Sequence, residues 1–157
     1  MVGCSGLFAQ TNAKLGYINS AELMQMMPGK DTVEARLTEY RSSLETTMQV
    51  MYQEYQSKIQ DYQNNVATMS QIIKQTKERE LQDLETRIQA FQQSADSDFQ
   101  NKQAELFAPL TTRAKNAINA VAKEQGYTYI FDLSVGSIIY YEKGDNIMTL
   151  VKAKLGI

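Results

Sequence analysis

Histidine is absent from the 157 residues and cysteine occurs once, at Cys4. Imidazole acid–base chemistry, Cys/His zinc centres and internal disulfides are thereby removed. Glycine is missing from Asp31 to Glu124, ninety-four residues that hold one proline. The glycines beyond the first thirteen residues fall at strand, turn or chain-end positions and form no phosphate-cradling loop, so ATP-driven action has no support. No run of eighteen apolar residues occurs, which leaves no membrane-spanning helix. Charge of one sign is lacking as well: 16 Lys and Arg stand against 18 Asp and Glu, for a net charge of -2 and a pI near 5.2. Acidic and basic side chains are interspersed, and the basic footprint of a DNA or RNA binder is not present. No catalytic residue set and no cofactor site emerges, and the chain does not read as an enzyme.

What the sequence does contain is helical periodicity. Val33, Leu37, Tyr40, Leu44, Met48, Met51, Tyr55, Ile59, Tyr62 and Val66 follow one another at steps of three and four, with Val33, Leu44, Tyr55 and Val66 opening eleven-residue units. Eleven residues in three turns is about 3.67 per turn, close to a straight helix, so the stripe stays on one face with little or slightly right-handed supercoil. The second half tightens to Leu81, Leu84, Ile88, Phe91 and Ala95, then Phe99, Leu106, Leu110, Ala114, Ile118 and Val121. As one helix these residues would reach about 140 Å at 1.5 Å each, whereas two antiparallel arms of roughly 65 Å cover each other's stripes. A helical hairpin over 31–124 is therefore expected. Its tip falls between Met69 and Lys77, where the stripe weakens. Pro109 predicts a kink between Leu106 and Leu110.

Around the hairpin the pattern changes. The leader, residues 1–13, contains Gly6-Leu7-Phe8-Ala9-Gln10, which looks like the tail of a secretory signal peptide. Val2-Gly3-Cys4 gives a second reading, the end of a lipoprotein box with Cys4 lipidated, and an unprocessed tail is a third. Lys14 to Asn19 alternates as a strand, with Leu15 and Tyr17 on one face and Gly16 and Ile18 on the other. Asn19, with Glu22 three residues on, caps a short helix from Ser20 to Met27, ended by Pro28-Gly29. Asp31 and Glu34 make a capping box for the long element. Gly126 is placed to terminate it in the left-handed conformation. Tyr127–Asp132 and Ser137–Glu142 then read as a β-hairpin turned at 133–136, Lys143-Gly144-Asp145 as a further turn, and Asn146 as the cap of a last helix bearing Ile147, Leu150, Val151 and Leu155. The fold class is α+β: a long antiparallel helical hairpin (31–124) projecting from a small β-sheet body (14–30 and 125–157), all within one domain, 14–157. So small a sheet with open edges invites pairing with other copies, hence an oligomer.

Two sets of residues are candidates for function. Carboxylates two apart (Glu78/Glu80, Asp83/Glu85, Asp96/Asp98) point away from each other on a helix and read as a solvated face. Val50, Tyr52, Ile72 and Phe107 lie off the stripe, and Ile73 sits beside the expected tip. They have no obvious partner within one hairpin and suit either contact with a bound chain or intersubunit packing. Thirteen glutamines from Gln49 to Gln103 give the arms a polar, weakly charged surface.

The order strand, short helix, long helical hairpin, two strands and terminal helix resembles the Skp (OmpH-like) family of periplasmic outer-membrane-protein chaperones. Lys14-Leu15-Gly16-Tyr17-Ile18-Asn19 with Leu23 and Pro28, and Gly126-Tyr127-Thr128-Tyr129-Ile130-Phe131-Asp132 through Leu150 to Ile157, carry the resemblance over Lys14 to Ile157. It implies a periplasmic homotrimer whose strands join into a central body and whose coiled-coil arms surround a cavity, holding unfolded outer-membrane proteins without ATP. Val50, Tyr52, Ile72, Ile73 and Phe107 are the client-binding residues in that reading. The departure is charge, because well-known members are strongly basic and this chain is slightly acidic. The rival reading is a structural coiled-coil adaptor that docks a fixed helical partner in the cell envelope.

Overall fold

The computed structural model describes residues 13–141 and 144–157, so the leader readings, Cys4 included, concern residues outside the described set. The elements run β1 (Leu15–Ile18), α1 (Ser20–Gln25), α2 (Lys30–Asn65), α3 (Gln71–Gln125), β2 (Tyr129–Asp132), a 3-10 turn (Leu133–Val135), β3 (Asp145–Asn146) and α4 (Met148–Leu155). Two compact units divide them. One is Asp31–Phe107, and the other is the described residues up to Lys30 together with Ala108–Ile157. The helix α3 contributes to both and is unbroken through Pro109, the residue whose missing N–H led to the expectation of a kink.

In the sheet unit β1 is central, with order β2-β1-β3 and both pairings parallel. Leu15 to Ile18 stand opposite Tyr129 to Asp132, while Gly16 and Tyr17 stand opposite Asp145 and Asn146. This overturns the expected β-hairpin. Leu133–Val135 winds into a 3-10 turn ended by Gly136 at φ 67°, Ser137 to Tyr141 has no ladder partner among the described residues, and the third strand is Asp145–Asn146, where a turn was expected. The reason is topological: parallel strands need crossovers rather than tight turns, and the whole of α1, α2 and α3 forms the crossover from β1 to β2.

Gly16 and Ile18 occupy the covered face of β1. A Cβ on Gly16 would lie 2.9 Å from Ile130 Cδ1 and 3.0 Å from Tyr127 Cε1, so the glycine permits close approach of two side chains. The core of this unit draws Leu23 and Met27 from around α1, Leu110, Ala114, Ala117 and Val121 from α3, and Ile147 and Val151 from α4 and its start. Asn19 caps α1 by accepting from Glu22 N–H at 3.1 Å. The chain leaves that helix through a turn in which Lys30 N–H donates to Met27 C=O and Gly29 takes φ 95°, the arrangement of a type II turn with proline at its second position. Since α2 begins at Lys30, Asp31 lies inside the first turn rather than at the cap, where its charge still favours the helix dipole. Gly126 ends α3 at φ 69°, with Tyr127 N–H donating to Ala122 C=O at 2.9 Å and Gly126 N–H to Lys123 C=O at 3.3 Å, a Schellman cap. Asn146 accepts from Met148 N–H at the start of α4.

In the hairpin unit, α2 and α3 pair antiparallel. Arg41 faces Phe99, Tyr52 meets Gln92, Lys58 meets Glu80 and Tyr62 meets Glu78, so numbers rise along one helix as they fall along the other. All ten stripe residues of α2 and its end are partly or fully buried, and Lys58 is the only other residue of 31–66 so withdrawn. The reversal occupies 66–70, earlier than the expected Met69–Lys77. It mixes apolar Val66, Ala67 and Met69 with polar Thr68 and Ser70, and hydrogen bonds shape it: Thr68 N–H donates to Asn65 C=O, and Ser70 begins α3 by accepting from Lys74 N–H at its carbonyl and from Ile73 N–H at its hydroxyl. Ser70 is thus a helix start rather than a defect in the stripe.

Candidate functional site

Contiguous exposed apolar surface marks a binding site, whereas apolar side chains exposed singly are ordinary. On the hairpin, Ile72 is 77% exposed and Val50 57%, with Tyr52 and Ile73 also exposed. The structure does not bring these four together. Val50 and Tyr52 are two apart on α2 and point in different directions, while Ile72 and Ile73 lie in the first turn of α3. Two of the five candidates do have partners within the hairpin, contrary to the sequence reading. The Tyr52 hydroxyl accepts from Gln92 Nε2 at 2.6 Å, and Phe107 is half-buried beside Leu37 and Phe99 along a cleft.

Between the helices an open groove of about 950 Å³ is lined by Leu44, Met48, Tyr52, Phe91, Ala95 and Phe99, with glutamines along its rim. Ala95 stands one turn from both phenylalanines and leaves the space that a larger side chain would fill. At one end the Arg41 guanidinium lies 4.4 Å from the centroid of the Phe99 ring.

Towards the tip the hairpin closes through polar contacts. Lys77 Nζ is 2.9 Å from Asp61, Lys58 Nζ is 3.3 Å from Glu80, and Tyr62 donates to Glu78. Glu78 and Glu80 are therefore cross-hairpin partners rather than a bare solvated face. The Lys77 hydrogen bond and charge hold Asp61 below the usual carboxylate range, and Asp61 raises Lys77 in return. The hydrogen bond to Glu78 raises the Tyr62 hydroxyl. Among the described residues no cluster of three metal-ligating side chains occurs, and no helix is long and apolar enough to cross a membrane.

The sheet unit holds a larger exposed set that sequence reasoning did not single out. Tyr129 and Phe131 stack at 6.4 Å with 25° between their planes, exposed by 60% and 40%, on the face of β2 next to exposed Leu15. Ile139 is 99% exposed and Tyr140 78%, and Tyr141 lies 5.0 Å from Tyr17. The signal was available in the alternation of Tyr129 and Phe131. A reading that folded Ser137–Glu142 back onto them hid it.

These features define a class: a long antiparallel helical pair with a three-stranded parallel sheet. A model of the outer membrane protein (OmpH-like) family matches residues 14–155, and the chain belongs to that family. A search of curated proteins found no match. Among solved structures the chain is similar to an OmpH-like protein of Caulobacter crescentus CB15 that has been proposed to be an outer membrane chaperone. The identity is 13%, the TM-score 0.74, and the match covers 98% of this chain and 90% of that one. At that identity the likeness shows the fold.

Proposed function

We propose that this chain is an exported, periplasmic holdase that binds unfolded outer-membrane proteins and prevents their aggregation, acting as a homotrimer and without ATP. Membership of the OmpH-like family supports a chaperone role in general. The single observation that favours holding unfolded chains is the poverty of the hairpin core. Only Leu37, Leu84 and Ile88 are fully buried between Asp31 and Phe107, while Val50, Tyr52, Ile72 and Ile73 are left in solvent. Scattered exposed apolar groups on a polar, glutamine-rich surface give many weak contacts, each quick to release, whose sum rises when several hairpins act together. Val50, Tyr52, Ile72 and Ile73 contact clients in this reading, and Phe107 does so less, being half-buried. The adaptor reading needs a continuous apolar seam for a helical partner, and the α2 stripe that would have supplied it is turned towards α3.

Self-association rests on the sheet. Parallel sheets are ordinarily covered on both faces, and here one face presents Leu15, Tyr129 and Phe131 to water. The test combines light scattering of the purified assembly with aggregation of several urea-unfolded β-barrel membrane proteins diluted into buffer without nucleotide. A particle of three times 17.8 kDa that keeps unrelated barrels soluble at stoichiometric amounts is expected. A monomer, or a chain that protects none of them, would refute the reading.

A further inference from the structure

The groove between α2 and α3 has a composition that specifies an occupant. Along α2 its lining runs from Arg41 to Gln56, about 22 Å at 1.5 Å per residue, the length of six or seven residues of extended chain at about 3.3 Å each. Its rim carries Gln49, Gln53 and Gln56, beside Gln92 whose Nε2 already donates to Tyr52, and a primary amide offers both donors and an acceptor, the complement of a peptide backbone that needs both. Its floor is Met48, Phe91 and Phe99 around the gap over Ala95. Methionine adapts to differing shapes, and the phenylalanine rings offer faces and edges to another large apolar side chain. Charge narrows the choice further. Glu45 and Asp96 line the groove and make no ion pair among the described residues, whereas the one lining cation, Arg41, is stacked on Phe99. Arg41 keeps its charge when stacked, so the lining carries one positive group against two negative ones and is negative on balance.

We propose that this groove seats an extended segment of unfolded polypeptide that carries a large apolar side chain next to a basic one. The inference rests on the holdase reading and adds to it a defined site and a sequence preference. Acidic segments are disfavoured by Glu45 and Asp96, and segments already folded as a helix or hairpin leave no free backbone for the glutamines.

The probe is a fluorescein-labelled, end-blocked heptapeptide with a central phenylalanine flanked by lysines, titrated against the full chain by anisotropy. Saturable binding is expected, weakened at least threefold when aspartates replace the lysines. It is expected to weaken at least tenfold in Ala95→Leu, which fills the gap. Helicity and thermal midpoint report whether that variant stays folded. Independently of it, benzoylphenylalanine introduced at Gln56, on the rim, should capture the peptide under illumination, and at Thr46, exposed and outside the groove, should not. Unweakened binding by a folded Ala95→Leu chain, indifference to the flanking charge, or equal capture from Gln56 and Thr46 would overturn the assignment. So would capture at Gln56 of a second copy of this chain in place of the peptide. Peptide capture at Gln56 by a chain that protects no barrel protein would refute the holdase and leave the groove standing.

Discussion

Asp132 ends β2, starts the 3-10 turn and fixes the first residue of α1. Its carboxylate accepts from Ser20 N–H and Ser134 N–H, each at 3.0 Å, and from the Ser20 hydroxyl, which lies 3.0 Å from that of Ser134. Burial raises its pKa, but the hydrogen bonds from Ser20 and Ser134 outweigh that effect and leave it below the ordinary 3.8. A carboxyl depressed in the folded state contributes stability while ionised, so the contribution is complete above the unfolded value and is lost as pH falls through the folded one. Asp132→Asn should therefore cost about 1 kcal/mol at neutral pH, a charge-assisted hydrogen bond discounted for partial exposure. Urea unfolding should show the gap between variant and parent closing below the ordinary value of 3.8. A gap that is the same in acid would mean that the charge contributes nothing.

At the scale of elements, the hairpin and the sheet differ in how far local sequence determines them. The α2 stripe was legible residue by residue because a helix buries what recurs every three or four positions, and every predicted position from Val33 to Val66 is withdrawn from solvent. The caps at Asn19 and Gly126 were legible for the same local reason. The tip was not, because Asn65, Thr68 and Ser70 reverse the chain with side-chain and turn hydrogen bonds where glycine or proline would have been a plainer sign. The pairing of β2 and β3 was illegible because a strand's partner is a non-local matter, settled by the crossover through three helices. Of the candidate site, exposure at Val50 and Ile72 could be read from their positions off the stripe, and at Ile73 from its place beside the expected tip. The groove could not, since it arises from Ala95 lying opposite Met48 and Tyr52 across the pair. The same sparseness makes the hairpin vulnerable. Leu84 is 1% exposed and one of only three buried side chains in its unit, and Leu84→Ala should cost about 2–4 kcal/mol there. Hydrogen exchange should accelerate in 40–100 while amides of β1 and α4 keep their protection. Uniform acceleration across the chain would show that hairpin and sheet unfold as one.

For the whole molecule the decisive surface is the bare side of the sheet. Leu15, Tyr129 and Phe131 would be a costly face to leave wet, since covering each large apolar side chain is worth about 1.5–3 kcal/mol. Nearby in sequence, Ile139 and Tyr140 lie in a segment whose backbone has no ladder partner among the described residues. An apolar sheet face, together with a segment that has no ladder partner among the described residues, supports the homotrimer proposed above. The double change Tyr129→Ser with Phe131→Ser removes the stacked pair from the exposed face, leaves the fully buried core residues of the sheet unit untouched, and alters no hairpin contact. Sedimentation should therefore find this variant shifted to single chains at concentrations where the parent is associated, with helicity retained because α2 and α3 still pair. If clients are held by several hairpins at once, the dissociated variant should also lose most of its protection of unfolded barrels, although Val50, Ile72 and the groove are unchanged. Undiminished protection by single chains would separate holding from assembly, and undisturbed assembly would place the contact between copies elsewhere on the chain.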